Sequence, residues 1–147
     1  MHATPSPPLH IGSDECRTLL SSRETQGRIC VLEWRGHGEG GPPLHLHEDQ
    51  DEVFMIEAGD FLFQLGDAQQ RLRAGDTVFV PRGQAHAFRQ LSPSGRMRYL
   101  YTPAGRMEDF FVALAGCSGP PEPAQAEALF AAHDMRLLGP PLAAPLA

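Results

Sequence analysis

The sequence predicts an all-β domain, built either as an antiparallel barrel or as a sandwich of two sheets. Between residues 28 and 102, seven or eight short apolar segments alternate with turn signals every six to twelve residues. No long helical pattern interrupts them, and tight turns connect antiparallel strands, since parallel strands need longer crossovers. The 15 glycines and 14 prolines among 147 residues favour the same architecture.

The strand predicted at residues 28–35 is rich in β-branched and aromatic residues and is bounded by Gly27 and Gly36. Gly59-Asp60, Gly66-Asp67 and Ala74-Gly75-Asp76 are turn signals, and the first of them predicts a hairpin with a two-residue turn. The strands are expected at residues 28–35, at the segment that contains His45 and His47, and at residues 52–57, 61–65, 69–73, 77–80, 85–91 and 97–102.

The two flanks differ from this core of residues 28–102. Residues 1–27 form an N-terminal extension whose first ten residues are either poorly ordered or a strand added to a neighbouring subunit. Its segment Ser13–Leu20 favours a short helix and an edge strand equally. Residues 103–147 predict two helices, Arg106–Ala115 and Ala124–Leu138, packed on the outside of the barrel. We expect one domain overall.

Charge and composition exclude several classes of function. A net charge of −6 and a pI near 5.6 argue against nucleic acid and anionic membranes as partners, because both need a basic surface. The N-terminus lacks the basic and apolar regions of a signal peptide, and no apolar run reaches membrane-spanning length. Three cysteines without C-x-x-C spacing fit reduced thiols. A cytoplasmic location is therefore expected.

One stretch places metal-binding residue types close together. His45 and His47 are two residues apart, so in a strand their side chains point to the same face. The side chain of Glu52 lies close to both histidines if the chain bends or pairs back after His47. A third imidazole is still needed, and His86, which follows a Pro-x-Gly bend, is the best candidate.

The spacing of these residues and of the intervening glycines resembles the two signature motifs of the cupin superfamily. The matching positions are His45, His47, Glu52, Gly59, Gly75, Pro81, Gly83 and His86. Glu39 stands where the first motif opens with glycine, and Gln90 stands where the second closes with asparagine. The resemblance implies a jelly-roll, or double-stranded β-helix, in which His45, His47, Glu52 and His86 bind one divalent transition metal. This donor set suits Fe, Mn, Ni, Co, Cu or Zn.

Several other residues have alternative roles. Asp49 and Asp51 are secondary candidates as ligands, and His37 is expected to be a solvated loop residue. The aromatic residues Phe54, Phe63 and Phe88 fit either the core or the wall of a pocket, because alternation does not reveal which face is which. Arg82 and Gln84 lie beside the His86 bend, either at the barrel mouth or on the surface.

The segments Tyr101–Phe111 and Leu137–Pro141 are similar to the tails of small single-domain bacterial cupins of the quercetin 2,3-dioxygenase-like kind. This resemblance implies a metal-dependent dioxygenase that acts on a small aromatic or enol-type substrate inside the barrel, with Glu52 as the catalytic base. The alternatives are a non-catalytic small-molecule binding or sensor protein, and an isomerase or decarboxylase. The resemblance also implies a homodimer. Metal affinity is expected to fall below roughly pH 6, because histidine ligands must be neutral.

Overall fold

The computed structural model describes residues 1–146, which fold into two antiparallel sheets and two short helices. The elements are β1 (Leu9–Ile11), β2 (Asp14–Leu20), β3 (Cys30–Gly36), β4 (Pro43–His47), β5 (Asp51–Ala58), β6 (Phe61–Leu65), β7 (Ala68–Leu72), β8 (Thr77–Val80), β9 (His86–Gln90), β10 (Gly95–Thr102), α1 (Met107–Ala115), α2 (Pro123–Ala131) and β11 (Met135–Pro141).

The two sheets face each other across one apolar core. The first sheet has six strands in the order β1-β2-β3-β10-β5-β8, and the second has five in the order β11-β4-β9-β6-β7. Aromatic side chains of both sheets meet between them, since the ring of Phe54 on β5 lies 5.0 Å from that of Phe63 on β6 and 5.9 Å from that of Phe88 on β9. The predicted all-β architecture of two packed sheets is confirmed.

The turn signals were located correctly, but they do not all form hairpins. Gly66-Asp67 does connect paired strands, because Leu65 of β6 lies opposite Ala68 of β7. The predicted hairpin at Gly59-Asp60 is wrong, since β5 belongs to the six-stranded sheet and β6 to the five-stranded one. The turn around Gly75 likewise leads from one sheet to the other. Turn residues permit a sharp change of direction without specifying the partner of the next strand.

The N-terminal extension is part of the six-stranded sheet. β1 pairs with β2 of the same chain, with Leu9 opposite Cys16, so this segment is a strand within its own subunit. β2 lies between β1 and β3 and is therefore neither a helix nor an edge strand. The sequence left a short helix and an edge strand equally favoured for Ser13–Leu20, because polar residues interrupt any strand pattern there.

The second predicted helix is too long. α2 ends at Ala131, and residues 135–138 belong to β11, where Met135 pairs with His47 and Leu137 pairs with His45. Asp134 has a positive φ of 60°, which ends the helical conformation and redirects the chain into the sheet. The first helix was predicted to within one residue. Among the described residues, neither helix has the length and apolar character needed to cross a bilayer.

Gly41, in the loop before β4, lies against the backbone of β9. A Cβ atom at this position would lie 1.8 Å from the carbonyl oxygen of Phe88. We expect Gly41→Ala to lower the free energy of unfolding by about 1–3 kcal/mol, because one strand must shift to relieve the overlap. The measurement is urea unfolding. Gly38→Ala is the matched control, since nothing lies within 4 Å of its Cβ, and an equal loss in both variants would contradict the packing argument.

Candidate metal centre

Three histidines converge on the inner face of the five-stranded sheet. His45 and His47 alternate along β4, and His86 of β9 lies directly opposite His45 in the strand pairing. All three side chains are buried, and one ring nitrogen of each lies within 4.8 Å of the others. His45 and His47 share one face of β4 because they are two residues apart. His86, the first residue of β9, lies on the same face because β9 pairs with β4 at His45.

Glu52 approaches this cluster from the other sheet. It lies on β5, is 2% exposed, and its Oε2 atom is 3.0 Å from Nε2 of His47 and 3.1 Å from Nε2 of His86. The four residues predicted from the sequence are thus together between the two sheets, three nitrogen donors on one side and one carboxylate on the other. Their roles as ligands stay a prediction.

The hydrogen bonds of the rings leave nitrogen lone pairs directed into the cluster. Nδ1 of His45 donates to the carbonyl oxygen of Pro43 at 2.7 Å, and Nδ1 of His86 donates to that of Gln84 at 2.9 Å. Because a carbonyl only accepts, these bonds fix the proton on Nδ1 and direct Nε2 toward the centre. Nε2 of the buried His47 faces the carboxylate of Glu52 at 3.0 Å, and its Nδ1 has no hydrogen-bond partner. Buried polar atoms normally have one, so these donors fit a bound metal ion.

Charge within the cluster is carried by Glu52. Burial tends to raise the pKa of this carboxyl group, but the charges and hydrogen bonds of His47 and His86 outweigh that effect and lower it, so Glu52 is a carboxylate. Burial lowers the pKa of His86, yet its hydrogen bond to Glu52 and the charge of Glu52 prevail and raise it above 6.5. Burial and the neighbouring imidazoles lower the pKa of His45 to about 3, so His45 is neutral at any working pH.

These pKa values predict how metal affinity depends on pH. A ligand imidazole must release its proton, and His86 keeps that proton above pH 6.5 in the metal-free protein because Glu52 stabilises it. Below the raised pKa of His86, affinity should fall by about tenfold per pH unit, with one proton displaced per ion bound. Calorimetric titration with Zn²⁺ at several pH values, in buffers of different ionisation enthalpy, measures both. An affinity independent of pH between 5.5 and 7.5 would contradict this prediction.

A cavity of about 720 Å³ extends from the cluster to the surface. At its inner end it is lined by His45, His47 and Glu52, and its walls are aromatic or aliphatic, including Phe54 and Phe88. This size and chemistry are typical of a small-molecule site. Phe63 does not line the cavity; it stacks on Phe88 with ring centroids 5.5 Å apart.

The other candidates lie outside the cluster. Asp51 accepts hydrogen bonds from the backbone and the guanidinium group of Arg82, and Asp49 is exposed. Arg82 is also exposed, and neither it nor Gln84 lines the cavity. His37 is an exposed loop residue, as expected. Asp51, although it precedes Glu52 directly, is therefore not in the site, because the two side chains point to opposite faces of β5.

Two aromatic residues beside the cluster were not identified as site residues from the sequence. Tyr101 of β10 lies opposite Glu52 in the strand pairing, and its ring centroid is 5.1 Å from that of His47. Burial, followed by the charge of Glu52, raises the pKa of Tyr101 well above 10, so its hydroxyl group stays protonated. Phe130 of α2 packs edge-on against His45 at 5.6 Å. Alternation along β10 marks Tyr101 as facing the same side as Tyr99, but only the pairing shows that this side is the inner one.

Comparison with known proteins agrees with this fold. Residues 35–103 match the family model described as a cupin domain. The chain is 34% identical over 88 residues to the protein named "Probable oxidoreductase virH" of Hypocrea virens, a match that covers 54% of this chain and 40% of that protein. The chain thus spans less than half the length of the curated relatives it matches.

Two solved structures share the architecture at low sequence identity. KdgF from a Halomonas species superimposes with a TM-score of 0.61 at 17% identity, over 67% of this chain and 86% of that one. An RmlC-like cupin from Shewanella frigidimarina superimposes with a TM-score of 0.60 at 21% identity, over 71% and 87% of the two chains. These likenesses concern the fold alone. With the match over residues 35–103 and the histidine cluster between the sheets, this part of the chain is a cupin domain, and the chain has the cupin fold.

Proposed function

We propose that this protein is a metal-dependent dioxygenase of the quercetin 2,3-dioxygenase-like kind, acting on a small aromatic or enol-type substrate. The observation that supports it best is the position of the His–Glu cluster at the buried end of an apolar, aromatic-walled cavity. The name of the relative in Hypocrea virens, an oxidoreductase, agrees with this reaction class.

In this proposal His45, His47, Glu52 and His86 hold one divalent ion. Such an ion, when bound, supplies Lewis acidity toward an enol oxygen of the substrate and the capacity to exchange electrons with O2. Glu52 is the one carboxylate at the inner end of the cavity, and it accepts the enol proton as general base. The aromatic walls, including Phe54 and Phe88, orient the substrate ring and exclude bulk water from the cluster.

An isomerase or decarboxylase acting on a small polar acid fits the cavity less well. Such a substrate needs a cationic side chain to balance its carboxylate. All twelve basic residues of the chain are arginines, and none of them lines the cavity. Arg82, for which the sequence left the barrel mouth and the surface open, pairs with Asp51 on the surface and does not line the cavity.

The experiment is oxygen consumption by protein loaded to full occupancy with Fe²⁺, Mn²⁺, Ni²⁺, Co²⁺ or Cu²⁺ in turn. Flavonols and 1,3-diketones are the substrates, and an oxygen electrode together with mass spectrometry of the products measures turnover. Stoichiometric O2 uptake with a ring- or C–C-cleaved product is the expected result. Thermal stabilisation by these compounds without O2 uptake would contradict the proposal and favour a non-catalytic binding protein.

We also propose that the protein is a homodimer. Its support is the unpaired edge of the six-stranded sheet at β8, where Phe79 is 58% exposed. Sedimentation equilibrium measures the mass directly, and a monomer at micromolar concentration would contradict this proposal.

A further inference from the structure

Most of the residues that line the cavity come from a different part of the chain than the metal cluster. His45, His47 and Glu52 lie within residues 35–103, the part that matches the cupin domain. More than half of the lining residues lie after it, on α1, α2, β11 and the segment between the helices. Residues 107–141, which we call the C-terminal cap, therefore determine the shape of the cavity beyond the cluster.

The cap surrounds the inner end with aromatic rings. Phe130 contacts His45 directly, and Phe110 packs against Phe130 with ring centroids 5.2 Å apart. Phe111 continues this wall against Tyr99 at 5.8 Å. Flat rings of a ligand fit such a wall through offset or edge-on contacts.

Prolines line the outer end of the cavity. They come from the start of β4 and the residue before it, from the start of α2 and the segment before it, and from the end of β11: Pro42, Pro43, Pro120, Pro121, Pro123, Pro140 and Pro141. A proline has no N–H group, so these residues offer a ligand apolar surface and no hydrogen-bond donor. The part of a ligand that lies far from the cluster is therefore apolar as well.

Charge in the cavity selects against a second anionic group. The acidic residues that line it are Asp14 and Glu52, and no arginine does so. A divalent ion bound beside Glu52 leaves one positive charge, which balances a single enolate. A carboxylate placed farther out would lose its hydration among aromatic and proline side chains without gaining a counter-charge.

We propose that the C-terminal cap selects a substrate of two or more rings that is uncharged except for one enol group, and that it excludes molecules with a carboxylate on the remote ring. The orientation, with the enol toward Glu52, rests on the proposed function. The cavity volume of about 720 Å³ accommodates a compound of this size.

A matched pair of ligands tests the selection. 3-Hydroxyflavone and its 4′-carboxylic acid share the enol end and differ only in the remote charge. In anaerobic titrations of the Zn²⁺-loaded protein, followed by the fluorescence of the flavone, the uncharged compound should bind at least about tenfold more tightly. Equal affinity, or tighter binding of the carboxylate, would overturn the proposal.

A substitution in the cap provides the second test. Ala126 on α2 is half-buried and lines the cavity, whereas Ala128 on the same helix is exposed and does not line it. Ala126→Arg should tighten binding of the 4′-carboxylate about tenfold, because it supplies the missing cation. It should weaken binding of 3-hydroxyflavone, because the uncharged ring would then displace water from a charged side chain. Ala128→Arg is the control and should leave both affinities unchanged. A similar gain in both variants would show that overall charge, rather than the cavity, sets the preference.

These titrations are independent of turnover. If the ligand preference holds and O2 is not consumed, the proposed dioxygenase function fails and the selection by the cap stands. If O2 is consumed equally with both ligands, the dioxygenase function stands and the selection by the cap fails.

Discussion

His86→Ala is expected to lose stoichiometric metal binding while keeping the fold. The substitution removes one of three imidazoles whose ring nitrogens lie within 4.8 Å of one another. Loss of an outer-shell partner of a metal site costs roughly 10–100-fold in affinity, so loss of a ligand should cost more than about 100-fold. The backbone pairing of β9 does not depend on the imidazole, and the variant should therefore give an unchanged circular dichroism spectrum. Elemental analysis after dialysis and calorimetric titration with Zn²⁺ measure the loss.

The matched control is His37→Ala, which removes an exposed imidazole from the loop after β3. This variant should bind the metal as tightly as the unmodified protein. Metal content that stays at one ion per chain in His86→Ala, with the circular dichroism spectrum unchanged, would show that His86 is not a ligand. Equal losses in both variants would show that the measured metal is bound nonspecifically by histidines.

The sequence predicted the cluster better than its surroundings, for a physical reason. Side-chain direction alternates strictly along a strand, so the spacing of His45 and His47 determines that they share a face. Which strands lie side by side is a property of the whole sheet. The pairing of Tyr101 with Glu52 and of Leu137 with His45 joins residues 49 and 92 positions apart, and no local pattern contains that information.

The C-terminal cap shows the same limit in another form. The segment after Ala131 has apolar residues that suit a helical face, and the prediction extended α2 through Leu138 on that pattern. In the structure these residues gain the unpaired edge of β4 as a hydrogen-bonding partner, so tertiary pairing overrides local preference. As a result, the strand β11, which supplies part of the cavity wall, was not foreseen.

Glu52→Gln is expected to abolish most of the proposed activity while retaining more metal than His86→Ala. Glutamine keeps the size of the side chain and an oxygen that can act as a ligand, but it is not a base near neutral pH. General base catalysis contributes typically 10²–10⁴-fold, so kcat should fall by at least about 100-fold. Asp51→Asn is the matched control, since Asp51 is the neighbouring carboxylate and pairs with Arg82 outside the site. Turnover near the unmodified level in Glu52→Gln would exclude Glu52 as the base.

The same variant should lower the pKa of His86, and this result does not depend on turnover. In the metal-free protein the hydrogen bond and charge of Glu52 raise the pKa of His86 against the opposing effect of burial. With glutamine the charge of Glu52 is lost, while burial still lowers the pKa of His86 and the hydrogen bond to Gln84 still raises it, so that pKa should fall. Metal affinity would then begin to fall at a lower pH than in the unmodified protein. NMR titration of the imidazole resonances measures this shift, and a pKa of His86 that is unchanged in Glu52→Gln would show that Glu52 does not stabilise the proton on His86.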